Sequence, residues 1–526
     1  MPHSDFSGLI GIDLGTTFSC MARLTKDGEP VTIPNREGDR ITPSVLLVEN
    51  ELVIIGKEAK RSECLAPDKT AVCVKRDMGE KSYSHSLGGR AFRPEVLSAF
   101  ILKRLKNDAE NRVGPVTRAV ITVPAYFDDT RRKATQDAGK IAGLNVIDII
   151  NEPTAAALAF AFDRHIRKHS DAKSFANEMQ HGETTVLVYD LGGGTFDVSL
   201  VRMSPDKFET LATDGDVRLG GRDWDQKLVD YAADQFLNAH GSDPREDAES
   251  RAFLYQAAEQ AKHALSVRPA TKMMVLHAAT RMSVEITREQ FEEITDSLLT
   301  RTEMTTDLVV ESAGLTWNEV DRILLVGGMT RCPQVREMLS RLSGKEPDAS
   351  LSADEVVAHG AAIHGGMLMA RQHAGDFPDV SQRWANFQTV DVNSHSLGVA
   401  VRASAGYANS ILIPKNTQLP ITKSKVYQTS SANQRQVRVR ILEGEALEAE
   451  ACVQIGELLI SNLPPNLPPR SPIEVQVSYG TDGRISVVGR DLTSGRLVET
   501  LIVREGGLTE EELGDEAQRI VGLEVG

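Results

Sequence analysis

Up to about Met369 the chain alternates short runs of Val, Ile and Leu with longer segments whose apolar residues recur at helical spacing. The runs predict buried strands at 9–13, 119–123, 186–190 and 322–326. The periodic segments predict helices at about 95–112, 128–142, 153–163, 223–239, 246–266, 288–312 and 354–371. Apolar strands separated by helices argue for an α/β architecture with sheets covered by helices. Near 372 the pattern stops, and the polar, aperiodic segment 372–390 reads as a linker. Beyond it, 391–507 holds only short alternating runs, at 437–442, 473–479, 484–492 and 497–503, with Thr481, Asp482 and Gly483 as a hairpin turn. That is the pattern of an all-β module. The last piece, 508–526, carries a capping box from Thr509 to Glu512 and one short helical repeat, marginal in water if left alone.

Two of the apolar runs break at the same residues, "LIGIDLGTTFSCM" from Leu9 and "VLVYDLGGGTFDVSLV" from Val186. A glycine-rich turn between strands exposes a row of backbone N–H groups and lets a phosphate approach without obstruction by Cβ. An aspartate at the strand end places a carboxylate where it can hold a metal ion or the water around it. One such hairpin alone reads first as an ordinary tight β-turn. Two copies, each followed by an α/β half, point to duplicated half-domains gripping one nucleotide from both sides. A third run, "ILLVGGMTRC" from Ile323, ends in a Gly-Gly turn and leads into a helix.

Composition narrows the partners. A chain of 526 residues accommodates several domains, and its 41% hydrophobic and 25% charged content is that of a globular protein. No span approaches the roughly 20 apolar residues of a membrane helix, and no basic region precedes the first strand, so a secretory signal is not expected and the cytoplasm is. The net charge of -15 opposes nucleic acid and anionic membrane surfaces. Cys20, Cys64, Cys73, Cys332 and Cys452 are scattered and read as mostly buried, reduced thiols. His165, His169 and His181, in the polar insert 164–185, are conceivable metal ligands, with a solvated loop the preferred reading.

The segments "GIDLGTTFSC", "VITVPAYFDDTRRKAT", "IINEPTAAALAFAF", "VYDLGGGTFDVSLV", "LGGRDWD" and "LLVGGMTR", with Gly360-Ala361-Ala362, follow in an order that resembles the heat shock protein 70 (DnaK-type) chaperones, to about Gly507. The resemblance implies an actin-like two-lobed ATPase domain (1–371), a linker, and a C-terminal β-sandwich that takes extended apolar peptide segments of unfolded proteins. Slow MgATP hydrolysis to ADP would control peptide affinity. J-domain cochaperones and a nucleotide exchange factor are the implied partners, and K+ is admitted beside Mg2+.

Carried over residue by residue, Asp13 and Asp190 would flank Mg2+ through its waters. Thr16, Thr17, Gly193, Gly194 and Thr195 would line the phosphates, with Gly15, Phe18, Gly192, Gly220 and Gly221 beside them. Lys75, in "CVKRDMG", matches the lysine that contacts the γ-phosphate and the attacking water, although alone it reads as a surface lysine. Glu152 matches the carboxylate near that water, and its position also suits the N-terminus of a helix. Asp197 stands where the family keeps another acid. The adenosine end would be Glu259, Lys262, His263 and Ser266 with Gly327, Gly328, Met329, Arg331 and Asp354. Here His263 replaces an arginine usual in the eukaryotic branch, and Met329 a common serine. Pro124, Arg132 and Asp391 match the relay to the second domain. In the sandwich, Val399, Tyr427, Val437, Val439 and Ile441 match the peptide pocket, and Arg402 and Ser430 stand in place of the two residues that usually bridge it, so a shifted client preference is expected; by alternation alone Val437, Val439 and Ile441 read as an inward strand face.

Three departures accompany the match. The linker reads "NFQTVDV" in place of a leucine-rich run, so weaker coupling between domains is expected. Asp148 stands where the family generally has an arginine that helps receive J-domains. The chain ends where a helical lid would begin, as in lidless bacterial relatives of the HscC kind. Rival readings are an actin-like-fold kinase and a peptide-binding or scaffold protein that nucleotide merely stabilises.

Overall fold

A computed structural model describes residues 6, 8–49, 52–166, 183–204, 207–372, 388–404, 406–480, 484–501, 508–521 and 524–525. The side chains of His165, His169 and His181, the turn at Thr481, Asp482 and Gly483, and linker residues 373–387 lie outside that description.

Two sheets share one plan. In the first lobe the strand Leu9–Asp13 pairs antiparallel with Phe18–Leu24 and parallel with Arg118–Val123, and Asn145–Asn151 adds a further parallel strand. In the second, Thr184–Leu191 pairs antiparallel with Phe196–Met203 and parallel with Arg322–Val326, and Lys207–Asp216 lies outside the hairpin. The central strand of each is buried almost throughout, which is why each reads as an unbroken apolar run. Each hairpin thus delivers its aspartate, Asp13 or Asp190, to the carboxyl end of a central parallel strand, the edge at which open α/β sheets bind ligands.

Between the lobes the helices Glu152–Ile166 and Val356–Gln372 cross closely. A Cβ on Gly360 would lie 1.8 Å from the Ala155 carbonyl oxygen, and one on Gly11 would lie 2.2 Å from the Ala362 nitrogen. The small residues at 360–362 are therefore what lets this helix seat against both its neighbour and the first strand.

The C-terminal module is a sandwich of two four-stranded antiparallel sheets. Leu397, Val399, Val439, Ile441, Leu458, Ile473, Val475 and Val477 close on one core between them. The second lobe's sheet gains a fifth strand, Gln388–Val390, parallel to Lys207–Glu209. The end of the segment read as linker is thus paired backbone. The helix Glu510–Val521 packs on the first lobe with Leu513 and Ile520 in that lobe's core, Lys103 Nζ donates to the Ile520 carbonyl at 2.6 Å, and Glu524–Val525 pairs in parallel with Leu52–Ile55. A helix marginal by itself takes its stability from this packing. All five cysteines are free, Cys20 and Cys332 buried and the other three half-buried, a more open set than expected. Among the described residues no helix is long and apolar enough to cross a membrane.

Candidate functional site

A cleft of about 480 Å³ opens between the lobes at the carboxyl ends of the two central strands. Of the nucleotide residues expected from sequence, all line it except Gly194, Gly220 and Asp197, which lie just behind the lining. The two glycine turns face each other across its floor. A Cβ on Gly193 would fall 1.8 Å from Thr17 Oγ1, and one on Gly194 2.2 Å from Thr16 Cγ2. Thr16 Oγ1 is buried without a protein partner, so a donor group waits at the cradle for an acceptor that the chain does not provide.

Lys75 sits on a short 3-10 turn, Val74–Asp77, entered through Cys73 at φ 55°. Its ammonium is buried and donates to Glu152 Oε1 at 2.5 Å. Glu152 opens its helix, so the carboxylate is set at the positive end of the helix dipole as well as against the lysine. Thr122 Oγ1 donates to Asp13 at 3.3 Å, and the Tyr126 backbone N–H donates to Asp197 Oδ1 at 2.9 Å.

Charge in the cleft is unbalanced. Burial, reinforced by Glu152, pushes the Asp13 carboxyl up to about 7 and that of Asp197 up to about 8. Asp190 is held well above the usual carboxylate range by burial and then by Glu152, Asp197 and Asp13. Burial alone would lower Lys75, but the attraction of Glu152 and Asp13 outweighs it and the net shift is upward. Four carboxylates around one ammonium leave room for added positive charge. Among the described residues no three acidic, His or Cys side chains converge closely enough to ligate an ion directly. The carboxyl oxygens of the cleft are donors of the kind a hard divalent cation takes.

At the far end of the cleft Lys262 Nζ donates to the Gly221 carbonyl at 2.9 Å and pairs with Asp225 at 2.7 Å. Arg331, more than half exposed, pairs with Asp354 at 2.6 Å, and Met329 is buried. Across the mouth Lys60 bridges Glu63 at 3.1 Å and Glu259 at 2.9 Å, and outside the lining Arg76 pairs with Asp223 and donates to the Gly194 carbonyl at 2.9 Å. Sequence reasoning misses Lys60, Glu63, Arg76, Arg222 and Asp225, because charged residues at such spacings look like any solvated helix face.

Arg132 and Asp391 are brought together by a residue that no expectation named. Arg132 donates to Asn151 Oδ1, and Asn151 Nδ2 donates to Asp391 Oδ2 at 2.5 Å. Asn151 directly precedes Glu152 in "INEPT", which is the one signal that could have flagged it. Pro124 begins the turn whose Ala125 and Tyr126 touch the sandwich. Asp148 is engaged by His364 Nε2 at 2.7 Å.

The peptide-site candidates differ in burial. Val399 and Val439 are core residues, Tyr427 and Val437 are half-buried, and Arg402 and Ser430 are exposed. Val399 and Arg402 are three apart on one strand and so point to opposite faces.

The family model described as Hsp70 protein matches residues 9–88 and 82–520. Over 517 residues the chain is 40% identical to "Chaperone protein DnaK" of Halobacterium salinarum strain ATCC 29341 / DSM 671 / R1, covering 97% of this chain and 77% of that protein. The same figures hold for "Chaperone protein DnaK" of strain ATCC 700922 / JCM 11081 / NRC-1. With that match running through both lobes and the sandwich, the chain belongs to the Hsp70 family.

Proposed function

We propose that Lys75, Glu152, Asp13, Asp190, Thr195 and Asp197 carry ATP hydrolysis in this chain, which as an Hsp70 protein is an ATP-dependent molecular chaperone. The observation that carries the proposal is the buried Lys75–Glu152 pair, set between the two aspartate-bearing hairpins of a duplicated frame. Phosphoryl transfer to water asks for positioning and charge neutralisation more than for covalent help. Lys75, kept cationic by its neighbours, offers positive charge toward a γ-phosphate, and Glu152 is placed to orient water on the same side. Thr16, Thr17 and the backbone N–H groups at Gly193 and Gly194 cradle phosphate oxygens. Mg2+ held through water by Asp13 and Asp190 would neutralise phosphate charge, and K+ would add to the same balance. Lys262, Arg331 and Gly221 to the far side take the adenosine.

The chain divides, on this reading, into a nucleotide-binding domain at 1–371, a linker at 372–390, a peptide-binding sandwich at 391–507 and a C-terminal segment at 508–526. Extended apolar segments of unfolded proteins are the ligands of the sandwich, with Tyr427 and Val437 the half-buried residues best placed to meet them. J-domain cochaperones and an exchange factor are the regulatory partners, and the cytoplasm the compartment. The engagement of Asp148 by His364 supports an altered J-domain contact.

Single-turnover hydrolysis tests the assignment. Lys75→Ala should leave nucleotide affinity within a few-fold and lower turnover by about 10² or more. Undiminished turnover in a contaminant-free preparation would remove Lys75 from the mechanism.

A further inference from the structure

The sandwich meets the ATPase lobes at a turn that carries a histidine. Ser394 Oγ donates to the Ala125 carbonyl, His395 Nε2 lies 3.2 Å from the Tyr126 carbonyl oxygen, and the rings of His395 and Tyr126 are 4.3 Å apart. The imidazole is 15% exposed, and its other nitrogen, Nδ1, lies 3.8 Å from Glu445 Oε2. Around it Thr213 N–H donates to Asn416 Oδ1 at 3.0 Å, and Lys415 Nζ pairs with Asp214 at 2.7 Å while lying 4.9 Å over the Tyr126 ring.

We propose that His395 is a proton-operated latch, with the sandwich docked most tightly on the turn 124–127 when the imidazole is protonated and released as that proton leaves. Both groups facing the ring accept and cannot donate: a peptide carbonyl at one nitrogen and a carboxylate at the other. A neutral imidazole has a single N–H, so it turns a lone pair to either the carbonyl or the carboxylate, whereas imidazolium donates to the carbonyl at 3.2 Å and presents its second N–H to the carboxylate as an ion pair at 3.8 Å. The latch reaches the ATPase site through one residue, since the Tyr126 whose carbonyl meets His395 gives its N–H to Asp197.

The charged surroundings favour the cation. On the sandwich side the ring faces Glu443 and Glu445, with Lys415 nearby but paired to Asp214. On the lobe side it faces Tyr126, behind which stand Asp214 and Asp216. Burial would lower the imidazole, but Glu445, Glu443 and the Tyr126 carbonyl together raise it above its ordinary 6.5. Glu445 shifts the opposite way, burial being outweighed by His395 and the Ser396 N–H, and stays ionised. Undocking takes the Tyr126 carbonyl away from the ring, while Glu443 and Glu445 stay beside it on the sandwich. The added docking stability is therefore present while the docked imidazole holds its proton and disappears as pH rises through the docked value. These contacts hold whatever roles the ATPase residues play.

Hydrogen exchange at Gln388–Val390 and at the Ala125–Phe127 turn, in the full chain with MgATP, reads the docking equilibrium once intrinsic exchange is corrected for pH. From about pH 6 to about pH 8 the opening constant should rise several-fold, with tenfold per pH unit as the ceiling for one proton. His395→Gln keeps a donor for the Tyr126 carbonyl but does not titrate, and should flatten the dependence. Glu445→Gln should shift its midpoint to lower pH, and it decides the matter should His395→Gln not fold. A wild-type protein with no pH dependence, or either variant retaining the wild-type slope and midpoint, overturns the proposal.

Discussion

At the scale of single residues, the cleft carries the cost of burying carboxyl groups close together. Asp197 is 1% exposed, and burial with Glu152 moves its carboxyl up to about 8 from 3.8. Between those values the folded chain binds the extra proton, so stability falls as pH rises. Asp197→Asn keeps an acceptor for the Tyr126 N–H and abolishes the titration. The nucleotide-free variant should therefore exceed wild type in stability near pH 8 by on the order of 1 kcal/mol or more, the two converging near pH 4. Apparent Tm across pH reads this, and parallel curves for the two proteins would refute it. Burial is also what sequence hides. Lys75 carries no local sign of being interior, and it is legible only because "CVKRDMG" matches a family pattern. Asn151 and Tyr126 act through an amide and a backbone N–H, groups that no spacing rule marks.

At the scale of elements, legibility follows burial pattern. Strands Leu9–Asp13 and Arg322–Val326 and helix Arg288–Ser312 have the bounds that apolar periodicity predicts, because their buried residues are contiguous or regularly spaced. The hairpin Ala270–His277 with Thr280–Thr287 gives no such signal, since only Met273, Val275, Val284 and Ile286 of its residues are buried. Close helix packing is equally silent, as a glycine in a helical pattern does not announce what lies against it. On Val356–Gln372 the helix propensity of alanine favours any Gly→Ala change by about 1 kcal/mol, yet the two sites differ in what the methyl meets. At Gly360 it meets the Ala155 carbonyl at 1.8 Å, a backbone atom that cannot give way. At Gly365 it meets the Leu9 side chain at 2.9 Å, which can turn. Gly360→Ala should cost about 3 kcal/mol or prevent folding, while Gly365→Ala should stay within about 1.5 kcal/mol of wild type. Soluble yield and Tm separate them, and similar values for both would show that the helix crossing relaxes.

At the scale of the whole molecule, docking replaces apolar burial with backbone pairing and charge. A linker without a leucine-rich run predicts weak coupling, since less apolar area is removed from water. The strand Gln388–Val390 nevertheless joins the second lobe's sheet, because main-chain pairing asks nothing of side chains. Polar contacts complete the joint: Asp391 with Asn151, Gln418 with Glu209, and Lys415 with Asp214 at 2.7 Å. Lys415 and Asp214 are 18% and 25% exposed, so screening reaches the pair only in part and its energy exceeds that of a fully solvated one. A double-mutant cycle of Lys415→Ala and Asp214→Ala should return a coupling of about 0.5–2 kcal/mol in the docking equilibrium, diminished at high ionic strength. Peptide stimulation of ATP turnover should fall several-fold in either single variant, with nucleotide affinity unchanged because neither residue touches the cleft. Strict additivity of the two substitutions, at low and high salt alike, would mean that the ion pair does not hold the domains together and that the strand at 388–390 carries the docking alone.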